Sequence, residues 1–152
     1  MADNDTLELA GDWEVRYGYA GNTPWGTDES GHIIPGDQFH PWIPIHFEFV
    51  EPNNLGGKKY KGISANWPAT ILAETYYNGQ GVQLFSMFTG LGGTYELHCG
   101  VHYPFYQDDP DGVHVVGSWC SVGGGLESAK MGKGGNPHFH LHFIMRKKNP
   151  GY

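Results

Sequence analysis

Residues 137–143 read Pro-His-Phe-His-Leu-His-Phe, and this stretch indicates the fold more directly than any other part of the chain. Histidines at positions 138, 140 and 142 are separated by Phe139 and Leu141. Successive side chains of an extended strand point to opposite faces, so the alternation predicts a β-strand with three imidazoles on one face. The other face is apolar and suits a protein core.

Short segments of the same kind recur along the chain, separated by turns rich in Gly, Pro, Asn and Asp. The first segment, 7–19, alternates apolar and charged residues. Further candidate strands lie at 45–50, 60–67, 70–77, 82–88, 94–103, 113–120 and 137–146. The sequence therefore predicts an all-β chain whose roughly eight antiparallel strands close into one up-and-down barrel, since closure removes exposed strand edges.

Residues 20–44 interrupt this series. They contain Gly, Pro, Asn, Asp and two tryptophans, Trp25 and Trp42, without any period. A loop of this length in a compact domain is usually functional, so we interpret it as one long N-terminal loop or lid.

Composition limits the classes of function. The chain has 152 residues, a length that fits a single domain, 1–152, with a core of its own. Its formal charge is -7 and it has only nine Lys and Arg, which argues against nucleic acid or an anionic membrane as partner. No stretch approaches the length of an apolar membrane span, and the polar start lacks a secretory pattern, so we expect a cytoplasmic protein. Cys99 and Cys120 are expected to be free thiols.

Gly11-Asp12-Trp13 resembles the G-x-W element in the first strand of lipocalins and, more loosely, of avidin-like barrels, together called calycins. These families are eight-stranded cups that hold small, mostly apolar molecules. The resemblance implies a calycin-like barrel in which Trp13 closes one end.

The leading functional hypothesis is a barrel that binds a small apolar or aromatic molecule in its cup. If the protein is an enzyme of this kind, it cyclises or isomerises the ligand without a cofactor, with His and Glu as acid and base. The catalytic candidates are His98, His138, His140 and Glu96. The candidates for the ligand-binding lining are Trp13, Tyr17, Phe47, Phe49, Val115, Trp119, Phe139 and Leu141.

A second hypothesis is a metal-dependent hydrolase or lyase. Alternate residues of one strand and a residue of another can supply three imidazoles to zinc or a similar divalent metal, here His98, His138 and His140. Such a site leaves an open position for a water molecule that the metal activates. The sequence Glu96-Leu97-His98 is similar to a zinc-ligand strand of α-type carbonic anhydrases. The H-x-H pair His140 and His142 resembles that of lysostaphin-type zinc endopeptidases, in which one His binds zinc and the other acts in catalysis.

The direction in which each strand faces decides between these hypotheses. In the tail Phe139, Leu141 and Phe143 alternate with the histidines, and in an earlier strand Ile45, Phe47 and Phe49 alternate with His46 and Glu48. If these apolar sets fill the barrel, the histidines face outward. If the interior is polar instead, it holds histidines and Glu96, and partner subunits or the long loop cover the apolar outside. A homo-oligomer is compatible with the second arrangement. A third hypothesis is a cytosolic carbohydrate-binding lectin that uses exposed aromatic side chains.

Overall fold

The computed structural model describes residues 7–18, 23–36, 41–65, 68–77, 79, 82–91, 94–106, 108–109, 111–122 and 137–148. At 91, 94, 121–122 and 137–141 the description covers the backbone only. In the described part, no helix is long and apolar enough to cross a membrane.

In the described residues, ten strands form two sheets. They are β1 (Gly11–Tyr17), β2 (Trp25–Thr27), β3 (Ile33–Pro35), β4 (Ile43–Pro52), β5 (Lys58–Ile63), β6 (Thr70–Tyr77), β7 (Gln83–Leu91), β8 (Thr94–His102), β9 (Val115–Val122) and β10 (Pro137–Lys147). Eight of them close into a barrel in the order β1-β10-β9-β8-β7-β6-β5-β4, and every pairing is antiparallel. The predicted all-β antiparallel barrel is confirmed, and β6 coincides with the predicted segment 70–77.

The segment 20–44 is not only a loop. It contains the antiparallel hairpin of β2 and β3, which pair with each other and not with the barrel, while β4 already begins at Ile43. Sequence periodicity misses this hairpin because its strands have only three residues each, too few for an alternation to be recognised.

Trp42 fixes this connection to the outside of the barrel. Two guanidinium groups lie over its ring, that of Arg16 at 4.5 Å and that of Arg146 at 4.0 Å from the ring centroid. Arg16 also donates a hydrogen bond of 2.7 Å to the carbonyl of Gly36. Cations over an indole face are favourable contacts, so β1 and β10 hold the segment before β4 in place.

One end of the barrel is closed by the N-terminal segment. Trp13 is 1% exposed and donates a hydrogen bond of 2.8 Å from Nε1 to the carbonyl of Leu9. Gln83 binds both backbone groups of Leu7 across the same end. Gly11 precedes Trp13 with a φ of 122°, a conformation that favours glycine, so the Gly-x-Trp spacing has a backbone reason.

Glu8 forms hydrogen bonds to two residues of β5 at this closed end. Its carboxylate accepts hydrogen bonds from Lys58 Nζ at 2.7 Å and from the Tyr60 hydroxyl at 2.5 Å. Burial acts to raise the pKa of Glu8, but these hydrogen bonds outweigh it and lower the pKa to about 2. Burial and the same carboxylate raise the pKa of Tyr60.

The connections after β1, β5, β7 and β9 all leave the barrel at the opposite end, which we call the loop end. This arrangement follows from the up-and-down order, because every second connection of an antiparallel meander lies on the same side. The two ends of the barrel therefore differ, with a closed end at Trp13 and a loop end beyond Tyr17.

Candidate functional site

The apolar face of a strand does not point into the barrel in every strand. In β4 the apolar residues Ile45 and Phe47 are buried, and His46 and Glu48 are exposed. In β8 the order is reversed, because His98 is 1% exposed whereas Leu97 is 50% exposed. The sequence allowed histidines to face either into the barrel or outward. In β8 the histidine faces inward, and the apolar face of the strand points outward.

His98 lies in an aromatic cage inside the barrel. Its ring centroid is 5.4 Å from that of Tyr17, 5.3 Å from that of Phe143 and 6.2 Å from that of Trp119, and the planes of His98 and Trp119 are nearly parallel. Direct register between strands produces this cage, because His98 is opposite Trp119 in β9, and Phe143 is opposite Tyr17 in β1. The imidazole is thus surrounded by ring faces and edges and shielded from water.

Two hydrogen bonds orient the imidazole. Nε2 is 2.7 Å from the Tyr17 hydroxyl, and Nδ1 is 3.3 Å from the carbonyl of Met87. A carbonyl only accepts, so Nδ1 carries the proton, and the Tyr17 hydroxyl donates to Nε2. Burial lowers the pKa of His98 to about 4, against a smaller opposing effect of the Met87 carbonyl. The ring is neutral at pH 7, and its Nε2 accepts a hydrogen bond from the Tyr17 hydroxyl.

Glu96 lies on the same strand face as His98, one step nearer the loop end. Its Oε1 accepts a hydrogen bond of 3.3 Å from the hydroxyl of Thr89, which is 1% exposed. Burial raises the pKa of Glu96, with the Thr89 hydrogen bond opposing it. A raised pKa favours the protonated form of a carboxyl, which can donate a hydrogen bond as well as accept one.

The predicted row of three tail histidines does not follow one regular alternation. In the backbone register, position 138 is opposite Ser121 and position 141 is opposite Trp119, with a bulge between them. The bulge interrupts the alternation on which the predicted row of three histidines depends. The side chains of His138, His140, Phe139 and Leu141 lie outside the described residues.

His142 is described, and it faces outward. Its ring is 4.8 Å from that of Trp25, which belongs to β2. The neighbouring Phe143 is 0% exposed and faces the core. In this part of β10 the apolar set fills the barrel and the histidine contacts the hairpin.

The predicted metal site gains no support from the described residues, among which no group of three or more His, Cys, Asp and Glu side chains could hold a metal ion. His98 directs both ring nitrogens to other partners. The other two predicted ligands, His138 and His140, lie outside the described side chains. Zinc therefore stays a prediction from the sequence.

Most of the predicted apolar lining is inside the barrel. Trp13, Tyr17, Phe47, Val115 and Trp119 are all at most 6% exposed. Phe49 differs, since it is 51% exposed, although its ring contacts that of Tyr60 at 6.3 Å. A register shift in β4 directly after Phe49 accompanies this outward position.

Sequence reasoning missed two grooves on the outside of the barrel. The first, of about 530 Å³, lies between the β2–β3 hairpin and the outer faces of β8 and β9, with Trp25, Cys99 and His142 among its walls. The second, of about 480 Å³, crosses the outer faces of β5 to β8. The signal for both was present in apolar alternate positions of β8, which face outward because β8 is reversed: Leu97 lines the second groove, Val101 the first and Cys99 both.

Comparisons of the chain with protein-family models, with curated proteins and with solved structures found no match.

Proposed function

We propose that this protein binds a small apolar or aromatic molecule at the loop end of the barrel. The observation that carries the proposal is the buried, neutral His98 held by Tyr17 in an aromatic cage, with Glu96 between it and the loop end. Titratable groups with shifted pKa values cluster at functional sites, which supports a role of His98 and Glu96 in recognition or chemistry.

The resemblance to calycin-like barrels supports the proposal that the barrel binds a small molecule. The chain has a closed eight-stranded up-and-down barrel, and the Trp of its Gly-x-Trp element is buried at one end. An eight-stranded barrel has an interior wide enough for its own side chains or for one small ligand. The closed end is filled by Trp13 and its neighbours, so a ligand would enter from the loop end.

The residues nearest the loop end set the chemistry of the ligand. Ile71 and Ala73 give an apolar wall, and Thr89 and Glu96 give polar groups in the neighbouring positions of the inner face. We therefore propose a largely apolar or aromatic molecule with one hydroxyl or carbonyl group. The polar group would meet Glu96, and the apolar part would pack toward Trp119.

A proton-transfer reaction is the catalytic form of this proposal. Because burial raises the pKa of Glu96, its carboxyl is suited to exchange a proton with a bound ligand. The Tyr17 hydroxyl, which donates its hydrogen bond to neutral His98, fixes the position of the imidazole at the inner end. Isomerisation or cyclisation by such groups requires positioning and acid/base exchange, without a cofactor.

A titration with 2-naphthol tests the binding proposal, because this probe is a planar aromatic molecule with a single hydroxyl. We expect 2-naphthol to shift the NMR signals of the Trp119 indole and the His98 ring. Naphthalene, which lacks the hydroxyl, should bind more weakly than 2-naphthol. Glu96→Gln should weaken 2-naphthol binding by roughly tenfold.

Glu48→Gln is the matched control, since Glu48 is an exposed glutamate on the outer face of β4. This variant should bind 2-naphthol like the wild type. Shifts confined to Trp25 in the outer groove would refute the proposed site. Equal affinities of the wild type and Glu96→Gln would remove Glu96 from it.

A further inference from the structure

A cavity of ligand size lies outside the barrel, between the β2–β3 hairpin and the outer faces of β8 and β9. We call it the hairpin groove. Its volume is about 530 Å³, which is within the range of small-molecule pockets. Strand register sets two rows of outward side chains along its floor, because Cys99 is directly opposite Ser118, and Val101 is directly opposite Val116.

The two rows differ in polarity. Ser118 is also directly opposite His142 of β10, and both line the groove. The first row therefore carries a thiol, a hydroxyl and an imidazole in that order across the strands. The second row, Val101 and Val116, is aliphatic and lies two residues, roughly 7 Å, along the strands from the first. The hairpin groove thus has one polar edge and one apolar edge.

The hairpin side of the groove is aromatic and is fixed in place. Trp25 of β2 lines the groove on this side. The segment that follows β8 holds the hairpin, because the Tyr103 hydroxyl accepts a hydrogen bond of 2.7 Å from the backbone nitrogen of Ile33. The Tyr106 hydroxyl also donates a hydrogen bond to the carboxylate of Asp28. A wall that is already ordered lowers the entropic cost of binding a ligand.

The lining of the groove indicates an uncharged ligand. Among the described residues that line it, none is Asp, Glu, Lys or Arg, so a charged ligand would lose water without meeting an opposite charge. Ser118 and His142 present a hydroxyl and an imidazole side by side, and each of these groups can donate or accept a hydrogen bond. A ligand with one donor and one acceptor on neighbouring atoms matches this pair.

We propose that the hairpin groove binds an uncharged, planar heteroaromatic molecule that has an N–H and a C=O side by side on one edge. That edge meets Ser118 and His142, and the hydrocarbon edge packs on the two valines. The Trp25 ring contacts the ligand from the hairpin side, and aromatic contacts of this kind favour flat ring systems. The site is separate from the one proposed inside the barrel and does not depend on it, since it lies on the opposite face of β8 from His98.

Protection of a thiol gives a direct test, with quinazolin-4-one as the probe. This compound is a fused two-ring system whose N–H and C=O share one edge. Cys99 lies in the groove, whereas Cys120 is opposite Leu97 and lies outside it. At about ten times its dissociation constant, the probe should slow alkylation of Cys99 by iodoacetamide about tenfold, since only the free groove reacts. Alkylation of Cys120, followed by mass spectrometry in the same samples, should be unchanged.

Quinazoline is the matched probe, because it has the same two rings without the N–H and the C=O. It should bind about tenfold more weakly than quinazolin-4-one. Ser118→Ala should weaken the binding of quinazolin-4-one about tenfold and leave that of quinazoline unchanged. Ser86→Ala is the control, since Ser86 is opposite Cys99 on its other side and lines the second groove but not the hairpin groove. This variant should bind quinazolin-4-one like the wild type.

Three results would overturn the proposal. The first is equal protection of Cys99 and Cys120, or protection of neither. The second is equal affinity of the wild type for quinazoline and quinazolin-4-one. The third is an affinity of Ser118→Ala for quinazolin-4-one that equals that of the wild type.

Discussion

Protonation of His98 should make the barrel unstable in mild acid. The ring has a folded-state pKa of about 4, compared with an ordinary value of 6.5. Above pH 6.5 the ring is neutral in both the folded and the unfolded chain, so it adds no pH dependence. Between pH 6.5 and 4 the unfolded chain binds a proton that the folded chain excludes, so the free energy of unfolding falls as the pH falls.

The size of this effect follows from the two pKa values. One tenfold change in a proton-binding equilibrium is about 1.4 kcal/mol, so lowering the pKa from 6.5 to about 4 gives a total of about 3 kcal/mol. Most of this loss, roughly 2 to 3 kcal/mol, should be reached at pH 4.5. That is a large fraction of the stability of a typical domain.

Urea denaturation at pH 7.5, 5.5 and 4.5 measures the effect on the wild type and on His98→Gln. The Gln side chain does not titrate, and its carbonyl can still accept the hydrogen bond from Tyr17, so this variant should lose roughly 2 to 3 kcal/mol less than the wild type between pH 7.5 and 4.5. His46→Gln, on an exposed histidine 2.8 Å from Asp12, is the matched histidine substitution at the surface. If the wild type and His98→Gln have the same pH dependence, the assignment of a buried neutral imidazole is wrong.

Three further predictions concern the barrel itself. Gly117→Ala should destabilise it by about 1 to 3 kcal/mol in urea denaturation, because an added Cβ would lie 2.2 Å from a backbone oxygen of β8; Gly26→Ala, whose nearest contact is at 4.0 Å, should change stability far less, and equal losses would contradict the packing argument. Trp13→Ala should cost about 3 to 5 kcal/mol through the cavity left at the closed end, and thermal unfolding that is unchanged would show that this end is not part of the core. Glu8→Gln should lower stability at neutral pH by no more than about 1 kcal/mol, since the contact with Lys58 is partly exposed. Because the folded pKa of Glu8 is about 2 and the ordinary value is 4.5, this difference from the wild type should disappear as the pH falls from 4.5 to 2, and a difference that persists at pH 2 would exclude the carboxylate as its source.

Much of the architecture was predictable from residue alternation. The strands of the barrel follow the predicted segments closely because each strand has enough residues for a period of two to be visible, as in β6 and β10. The β2–β3 hairpin was not predictable in this way, because its strands are only three residues long. The bulge in β10 was also hidden, since the alternation of the sequence continues through the residues where the register shifts.

The candidate site, too, was predictable only in part from the sequence. His98 and Glu96 could be assigned to one strand face from their spacing, and Tyr17 could be assigned to another strand. The contact of Tyr17 with His98 depends on strand register and on closure of the barrel. β8 pairs with β9, β9 pairs with β10, and β10 pairs with β1. This order brings Tyr17, near the start of the chain, to His98 in the middle of the barrel. No local pattern contains that information.

By itself, the sequence determined that the chain forms antiparallel strands and, where no bulge interrupts a strand, which of its residues share a face. Only the tertiary structure decided which face is inside. Alternation is symmetric between the two faces, and burial of the whole barrel chooses one of them for each strand. In β10 that choice places Phe143 in the core and His142 outside, whereas in β8 it places His98 in the core and leaves Leu97 at the surface.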